Sequence, residues 1–163
     1  MFADFNWDIL LDDITRIAMA GLLGGLLGLE RELNGHFAGL RTHMMVAIGC
    51  AVFVMAGIAA AGEHADAMTR VIQGIATGVG FLGAGTILKI DEKEKIKGLT
   101  TASSIWLAAA LGTVAGLAEY ALAAASTFAA VFILGVLRPV ERKLLKHLQS
   151  KAETDTPTDS KRK

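Results

Sequence analysis

The sequence predicts an all-α fold: a polytopic transmembrane helical bundle of about five spans, N-terminus outside, C-terminus in the cytoplasm, with no soluble domain. Three observations lead there. Residues 71–90, VIQGIATGVGFLGAGTILKI, carry no charge before Lys89 and hold five glycines. Four further stretches, 14–29, 43–62, 99–118 and 120–137, are apolar too, with connections of about a dozen residues or fewer. The sixteen basic and sixteen acidic side chains fall almost entirely at the ends of these stretches and between them. A helix needs about 20 mostly apolar residues to cross the roughly 30 Å hydrocarbon core. Glycine is favoured there because small residues let helices approach closely, whereas so much glycine would weaken a soluble helix. A soluble bundle would also need a polar face along each helix.

The first span places Gly21, Gly24, Gly25 and Gly28 on one side and Leu22, Leu23, Leu26, Leu27 and Leu29 on the other, so the glycines are expected to face protein and the leucines lipid. Extended by a turn, the same wheel puts Glu32 on the glycine side, Arg31 beside it and Glu30 with the leucines. Glu32 is therefore the expected inward carboxylate. In the second span the lone Cys50 reads as a small buried hydrophobe.

The third span carries Gly74, Gly78 and Gly85 on one side and Ala76, Gly80 and Gly83 near the other. Small residues on both sides predict a central helix, and the run GFLGAGT predicts a kink or break near 83–86, tolerated only where protein or a watery cavity surrounds it. The fourth span lines Thr101, Ser104, Ala108, Gly112 and Ala115 on one face, with Trp106 roughly opposite. After the fifth span, Arg138, Arg142, Lys143 and Lys146, with Leu144, Leu145 and Leu148 between them, fit either a short amphipathic helix on the inner leaflet or plain basic anchoring, and the second is preferred. The polar sequence from about residue 150 is expected to be disordered. The organisation is then an extracytoplasmic segment 1–13, a transmembrane domain 14–137 and a basic cytoplasmic tail 138–163.

Lysine and arginine set the orientation, because short loops rich in them stay in the cytoplasm. With the C-terminus inside, the cytoplasmic side holds Arg31 and Arg41, then Lys93, Lys95 and Lys97, then the basic tail: thirteen residues, with Lys89 at the border. The other side holds two, Arg16 and Arg70. The first span is expected to be an uncleaved anchor, since no basic segment precedes it and no small-residue cleavage site follows. His36, His43, His64 and His147 are scattered through this topology, so no metal site and no cofactor are expected.

GLERELNGHFAGLRTHMMVAIGCA, GVGFLGAGTILK and KGLTTASSIWLAAALGTVAG resemble, in order and spacing, the signature blocks of the MgtC/SapB family of bacterial inner-membrane proteins. The blocks cover most of residues 28–116. The resemblance implies a multi-pass protein of the bacterial inner membrane linked to magnesium limitation and acid stress and, in some pathogens, to survival inside host cells. Part of the family is thought to act on other membrane machinery, including the ATP synthase. Glu30, Arg31, Glu32, Arg41 and Thr42 match the first block, Gly83 to Thr86 the second, and Gly98 to Thr101 the opening of the third. Under the topology above, all lie near the cytoplasmic surface.

Two functions compete. In the first, the protein acts in magnesium, ion or stress homeostasis by regulating or binding other membrane proteins; the motif charges are a structural clasp, and the glycine faces recruit helices. In the second it is a small ion or solute transporter, with Glu30, Arg31, Glu32, Arg41, Thr42, Thr86, Thr100, Thr101 and Ser104 forming a polar site. Ionisable residues facing a bundle are functional candidates. No carboxylate lies mid-span, however, so the interaction reading is preferred. An enzyme is not expected: Gly78, Gly80 and Gly83 mimic a dinucleotide fingerprint but lie within an apolar span with no preceding strand. The expected surroundings are lipid, other inner-membrane proteins and a second copy of the chain, not nucleic acid.

Overall fold

The computed structural model describes residues 6–61, 65–90 and 95–154. It is a bundle of five helices, α1 (Trp7–Leu33), α2 (Leu40–Ala61), α3 (Ala65–Gly85), α4 (Leu99–Gly116) and α5 (Tyr120–Thr154). A two-stranded hairpin, β1 (Leu88–Ile90) and β2 (Lys95–Lys97), joins α3 to α4. Its antiparallel register sets Leu88 against Lys97 and Ile90 against Lys95. Among the described residues, α2, α4 and the Tyr120–Leu137 part of α5 are long and apolar enough to cross a membrane. α1 falls short because Asp8, Asp12, Asp13 and Arg16 belong to its first half and Glu30, Arg31 and Glu32 to its last turn, and α3 because it opens with Asp66, Arg70 and Gln73.

Each helix starts and stops for a local reason. The Asn6 side chain caps α1, accepting from the N–H groups of Asp8 and Ile9 at 3.0 and 3.4 Å, which satisfies two of the four free donors at a helix start. α4 opens at Gly98, whose φ of +98° is left-handed and where a side chain would strike the Thr86 carbonyl; only glycine fits. α4 ends in a left-handed turn at Ala118, φ 62°. α5 continues without a boundary at 137: helix extends to Thr154, through the stretch expected to be a separate tail. The rest of that tail, 155–163, lies outside the described residues.

The core is built from small side chains. Ala20, Ala47, Ala51, Ala108, Ala115 and Ala123 are completely buried, so the helix axes come close. Gly24 of α1 lies against the His43 carbonyl and Ala47, and Gly28 against Gly39, Leu40 and His43. Gly112 of α4 is pressed on the backbone of Ala47, and Gly116 on that of Ala51. α4 is the hub, touching every other helix.

Three sequence expectations change. The leucine side of α1 is not all lipid-facing: Leu23 and Leu27 are buried, Leu27 against Ala108, Leu111 and Ala130, leaving Leu22, Leu26 and Leu29 exposed. α3 is peripheral, packing on α2 and α4; a side chain added at Gly74, Gly78, Gly80 or Gly85 would meet nothing within 4 Å. Glycine abundance suggested contact, but four of the five glycines lie where nothing among the described residues covers them. Nor is α3 broken near 83–86. It simply ends there, with the Thr86 N–H and hydroxyl both donating to the Gly83 carbonyl at 3.0 and 2.8 Å before the chain turns into β1.

At the end of the bundle that holds the start of α1, Arg16 ties two helices together. Its guanidinium grips Asp12 at 2.7 Å and donates to the Gly116 carbonyl, also at 2.7 Å. Gly116 is the last residue of α4, where carbonyls lack helical partners and the dipole favours a cation. Arg16→Ala is expected to destabilise the protein by about 1.5 to 3 kcal/mol, the range for hydrogen bonds to charged groups, and Arg16→Lys to recover part of that. Thermal unfolding in detergent micelles measures both.

Candidate functional site

The opposite end of the bundle, where α1 meets α2 and the β-hairpin meets α4, gathers the polar motif residues. α1 continues through the motif to Leu33, so Glu30, Arg31 and Glu32 lie on its last turn and point three ways. Arg31, 2% exposed, points inward. Its Nη1 lies 3.5 Å from Glu30 Oε2 in a pair whose side chains are 3% and 11% exposed. The Glu30 Oε1 accepts from the Asn34 side-chain amide at 2.7 Å, and that same amide donates to the Glu30 backbone carbonyl at 2.8 Å. Glu32 is not the inward carboxylate; its side chain is exposed and reaches across the turn to accept the Leu40 N–H at 2.7 Å. Leu40 opens α2, so this carboxylate serves as a cap supplied by another helix, favoured by charge as well as by the hydrogen bond. The wheel misplaces Glu32 because the buried face of α1 is wider than the glycine row, taking in Ala20, Leu23 and Leu27 as well, so that Arg31 lies near its centre and Glu32 at its edge.

The deepest polar group is one the sequence left among scattered histidines. His43 is completely buried between α1 and α4. Its Nδ1 lies 2.8 Å from the Gly39 carbonyl, which only accepts, so this nitrogen carries a proton. Its Nε2 lies 3.0 Å from the Ser104 Oγ, and that hydroxyl is also 2.8 Å from the Thr101 carbonyl. One hydroxyl proton cannot serve both neighbours. With neutral imidazole the serine donates to Nε2; with imidazolium Nε2 donates to the serine, whose proton then goes to Thr101. Both arrangements are satisfied, which makes the triplet a hinge of hydrogen bonds joining α2 to α4. His43 was legible in principle: stepping back one turn from the small residues Ala47 and Ala51 lands on it.

Of the remaining candidates, Thr101 and Ser104 are buried on the packed face of α4, Thr86 is half-buried at the end of α3, and Arg41, Thr42 and Thr100 are exposed. The structure therefore joins Glu30, Arg31, Glu32, Thr101 and Ser104 to the α1–α2–α4 junction, and leaves Arg41, Thr42 and Thr100 on its surface. Thr42 and Thr86 share instead the wall of a shallow recess of about 260 Å³, with Phe37, Val46, Leu82 and Ile105. Among the described residues, no three His, Cys, Asp or Glu side chains group closely enough to hold a metal ion. Cys50 is buried beside a furrow between α2 and α3.

Comparison with known proteins adds the relatives. Residues 17–143 match the sequence model of the MgtC family. The chain is 42% identical over 137 residues to protein SrpB of Synechococcus elongatus, covering 78% of this chain and 75% of that protein. It is 39% identical over 138 residues to protein MgtC of Brucella abortus, covering 85% of this chain but 56% of the relative. It is also 35% identical over 148 residues to YhiD of Escherichia coli (strain K12), whose name proposes a magnesium transporter, covering 83% of this chain and 66% of YhiD. The chain thus spans little more than half the length of the Brucella relative. No solved structure matches it.

Proposed function

The chain belongs to the MgtC family of membrane proteins, and from that premise we propose that it acts in magnesium or ion homeostasis in the bacterial inner membrane by engaging other membrane proteins, not by conducting ions or catalysing a reaction. The observation that carries this reading is that the motif carboxylates are engaged within the chain: Glu30 by Asn34 and Arg31, Glu32 by the start of α2. Such groups work as a clasp that fixes the cytoplasmic ends of α1, α2 and α4. The clasp leaves Arg41, Thr42 and Thr100 displayed on the cytoplasmic surface as contacts for a partner. The orientation, N-terminus outside and C-terminus inside, follows from the thirteen-to-two partition of basic residues.

A second reading, a small transporter, draws on one observation: a charged pair buried in a bundle end is a functional candidate by default. The name given to YhiD points the same way.

Complementation separates the two. In a strain lacking the gene and grown at limiting magnesium, Arg31→Ala is expected to lose growth and membrane-resident protein together, because the clasp is structural. Arg41→Ala is expected to accumulate normally and to lose growth through the partner surface, with no effect on ion flux. Normal accumulation of Arg31→Ala with complete loss of growth would contradict the clasp and favour an ion site.

A further inference from the structure

The seam between α1 and α2 opens toward the end of the bundle that holds the start of α1. Counted back at helical spacing, the side of α1 turned to α2 runs Gly28, Gly24, Ala20, Ile17 and Asp13. Gly28 and Gly24 press on α2 at Leu40, His43 and Ala47, and Ala20 clusters with Ala47 and Ala51. Beyond Ala20 this row holds no small residue, so the two helices part and leave a groove of about 660 Å³. That volume falls within the range of about 300 to 1,000 Å³ usual for ligand clefts. The walls are aliphatic, Ile14 and Ile17 on one side and Val52, Met55 and Ile58 on the other.

One carboxylate without a partner interrupts this apolar lining. Asp13 is half-buried on the groove wall, and among the described residues it has no hydrogen bond and no ion pair. Arg16 does not serve it: Nε and Nη2 both hold Asp12, and Nη1 donates to the Gly116 carbonyl. Asp13 lies about 16 Å along α1 from Gly24. The antiparallel neighbour at that level is residues 55–58 of α2, inside the apolar span Leu40–Ala60. A charge facing hydrocarbon there is costly unless paired. Helical side chains lean toward the N-terminus, so this carboxylate rises from the groove toward the membrane surface near the start of α1.

We propose that the groove binds a phospholipid whose headgroup ends in a primary amine, with an acyl chain between Ile17 and Val52 and the ammonium on Asp13. Each half of the site selects one half of that ligand. Aliphatic walls without packing glycines suit a flexible chain better than a partner helix, which is about 10 Å across and needs small residues to come close. The unpaired carboxylate selects a cation, and it favours an ammonium that donates hydrogen bonds over a quaternary one that has no N–H. Asp8, Asp12 and Asp13 against the single Arg16 disfavour an anionic headgroup. The inference holds for either leaflet and for either reading of the protein's function.

Native mass spectrometry of the purified protein in detergent tests it, with phosphatidylethanolamine, phosphatidylcholine and phosphatidylglycerol of the same acyl chains titrated in turn. Phosphatidylethanolamine is expected to bind about tenfold more tightly than either of the others, the scale of one hydrogen bond to a charged group. Asp13→Asn, nearly the same in shape, should remove that preference and leave phosphatidylcholine binding unchanged, whereas Asp13→Glu should keep it. Asp8→Asn, exposed and off the groove wall, should also keep it. Ala59→Phe, at an exposed position on the wall, fills the groove and should weaken binding of all three lipids. The proposal is overturned if the three lipids bind equally, if Asp13→Asn keeps the ethanolamine preference, or if Ala59→Phe changes nothing. A photocrosslinking residue at Val52 that captures another protein and no lipid in native membranes would overturn it in favour of a partner helix.

Discussion

Gly112→Ala is expected to cost about 3 kcal/mol and to prevent accumulation of folded protein. A single methyl there would overlap the carbonyl, the carbonyl carbon and the Cα of Ala47. These are backbone atoms of a neighbouring helix, which no rotamer change can move aside. α2 and α4 would have to separate, opening the contact on which the buried alanines and the His43–Ser104 bond depend. Gly49→Ala on α2 is the matched control, since nothing lies within 4 Å of a side chain added there; it should be neutral or stabilising by about 0.5 kcal/mol, because alanine is the better helix former. Thermal unfolding in detergent, with membrane-resident protein measured in parallel, distinguishes the pair. Equal stability of the two variants would mean that α2 and α4 are not so close.

Arg31→Ala is expected to have the second large effect, about 3 kcal/mol or more. Removing one member of a buried pair strands its partner's charge, and that penalty exceeds the net worth of the pair itself. Glu30, whose side chain is 11% exposed, would keep its Asn34 bond but lose the guanidinium 3.5 Å away. Combining Arg31→Met with Glu30→Gln removes both charges while keeping volume and the acceptor for Asn34. This double variant should recover most of the lost stability, because apolar replacement of a whole buried pair is often neutral. If the double variant is as unstable as Arg31→Ala, the arginine is needed for something other than charge balance with Glu30.

Five helices were legible in the sequence because apolar runs separated by charges leave little choice, and the seam of α1 glycines against α2 was legible because small residues recur on one face. The rest turned on tertiary direction. Glycine count predicted a central α3, yet the structure packs that helix by its Val71, Ile75 and Val79 side; the signal overlooked was the polar stripe Asp66, Arg70, Gln73 and Thr77 on the same wheel. Glu32 was expected inward because helical extrapolation ignores the turn that follows, whose job is to bring the start of α2 within reach of that carboxylate. His43 was passed over because a histidine near a span end reads as interfacial, whereas its spacing to Ala47 and Ala51 places it on the buried seam. Glu30, Arg31 and Glu32 lie together on the last turn of α1, but their partners depend on distances that only the fold sets.

Magnesium flux through the wild-type protein reconstituted in liposomes tests the central claim most directly. A chain whose motif carboxylates are committed to a clasp is expected to pass no Mg²⁺ above the rate of protein-free vesicles across a range of gradients. Saturable Mg²⁺ flux, lost in an Arg41→Ala variant that reconstitutes in equal amount, would contradict it and make the exposed Arg41 beside the junction of α1, α2 and α4 part of an ion path.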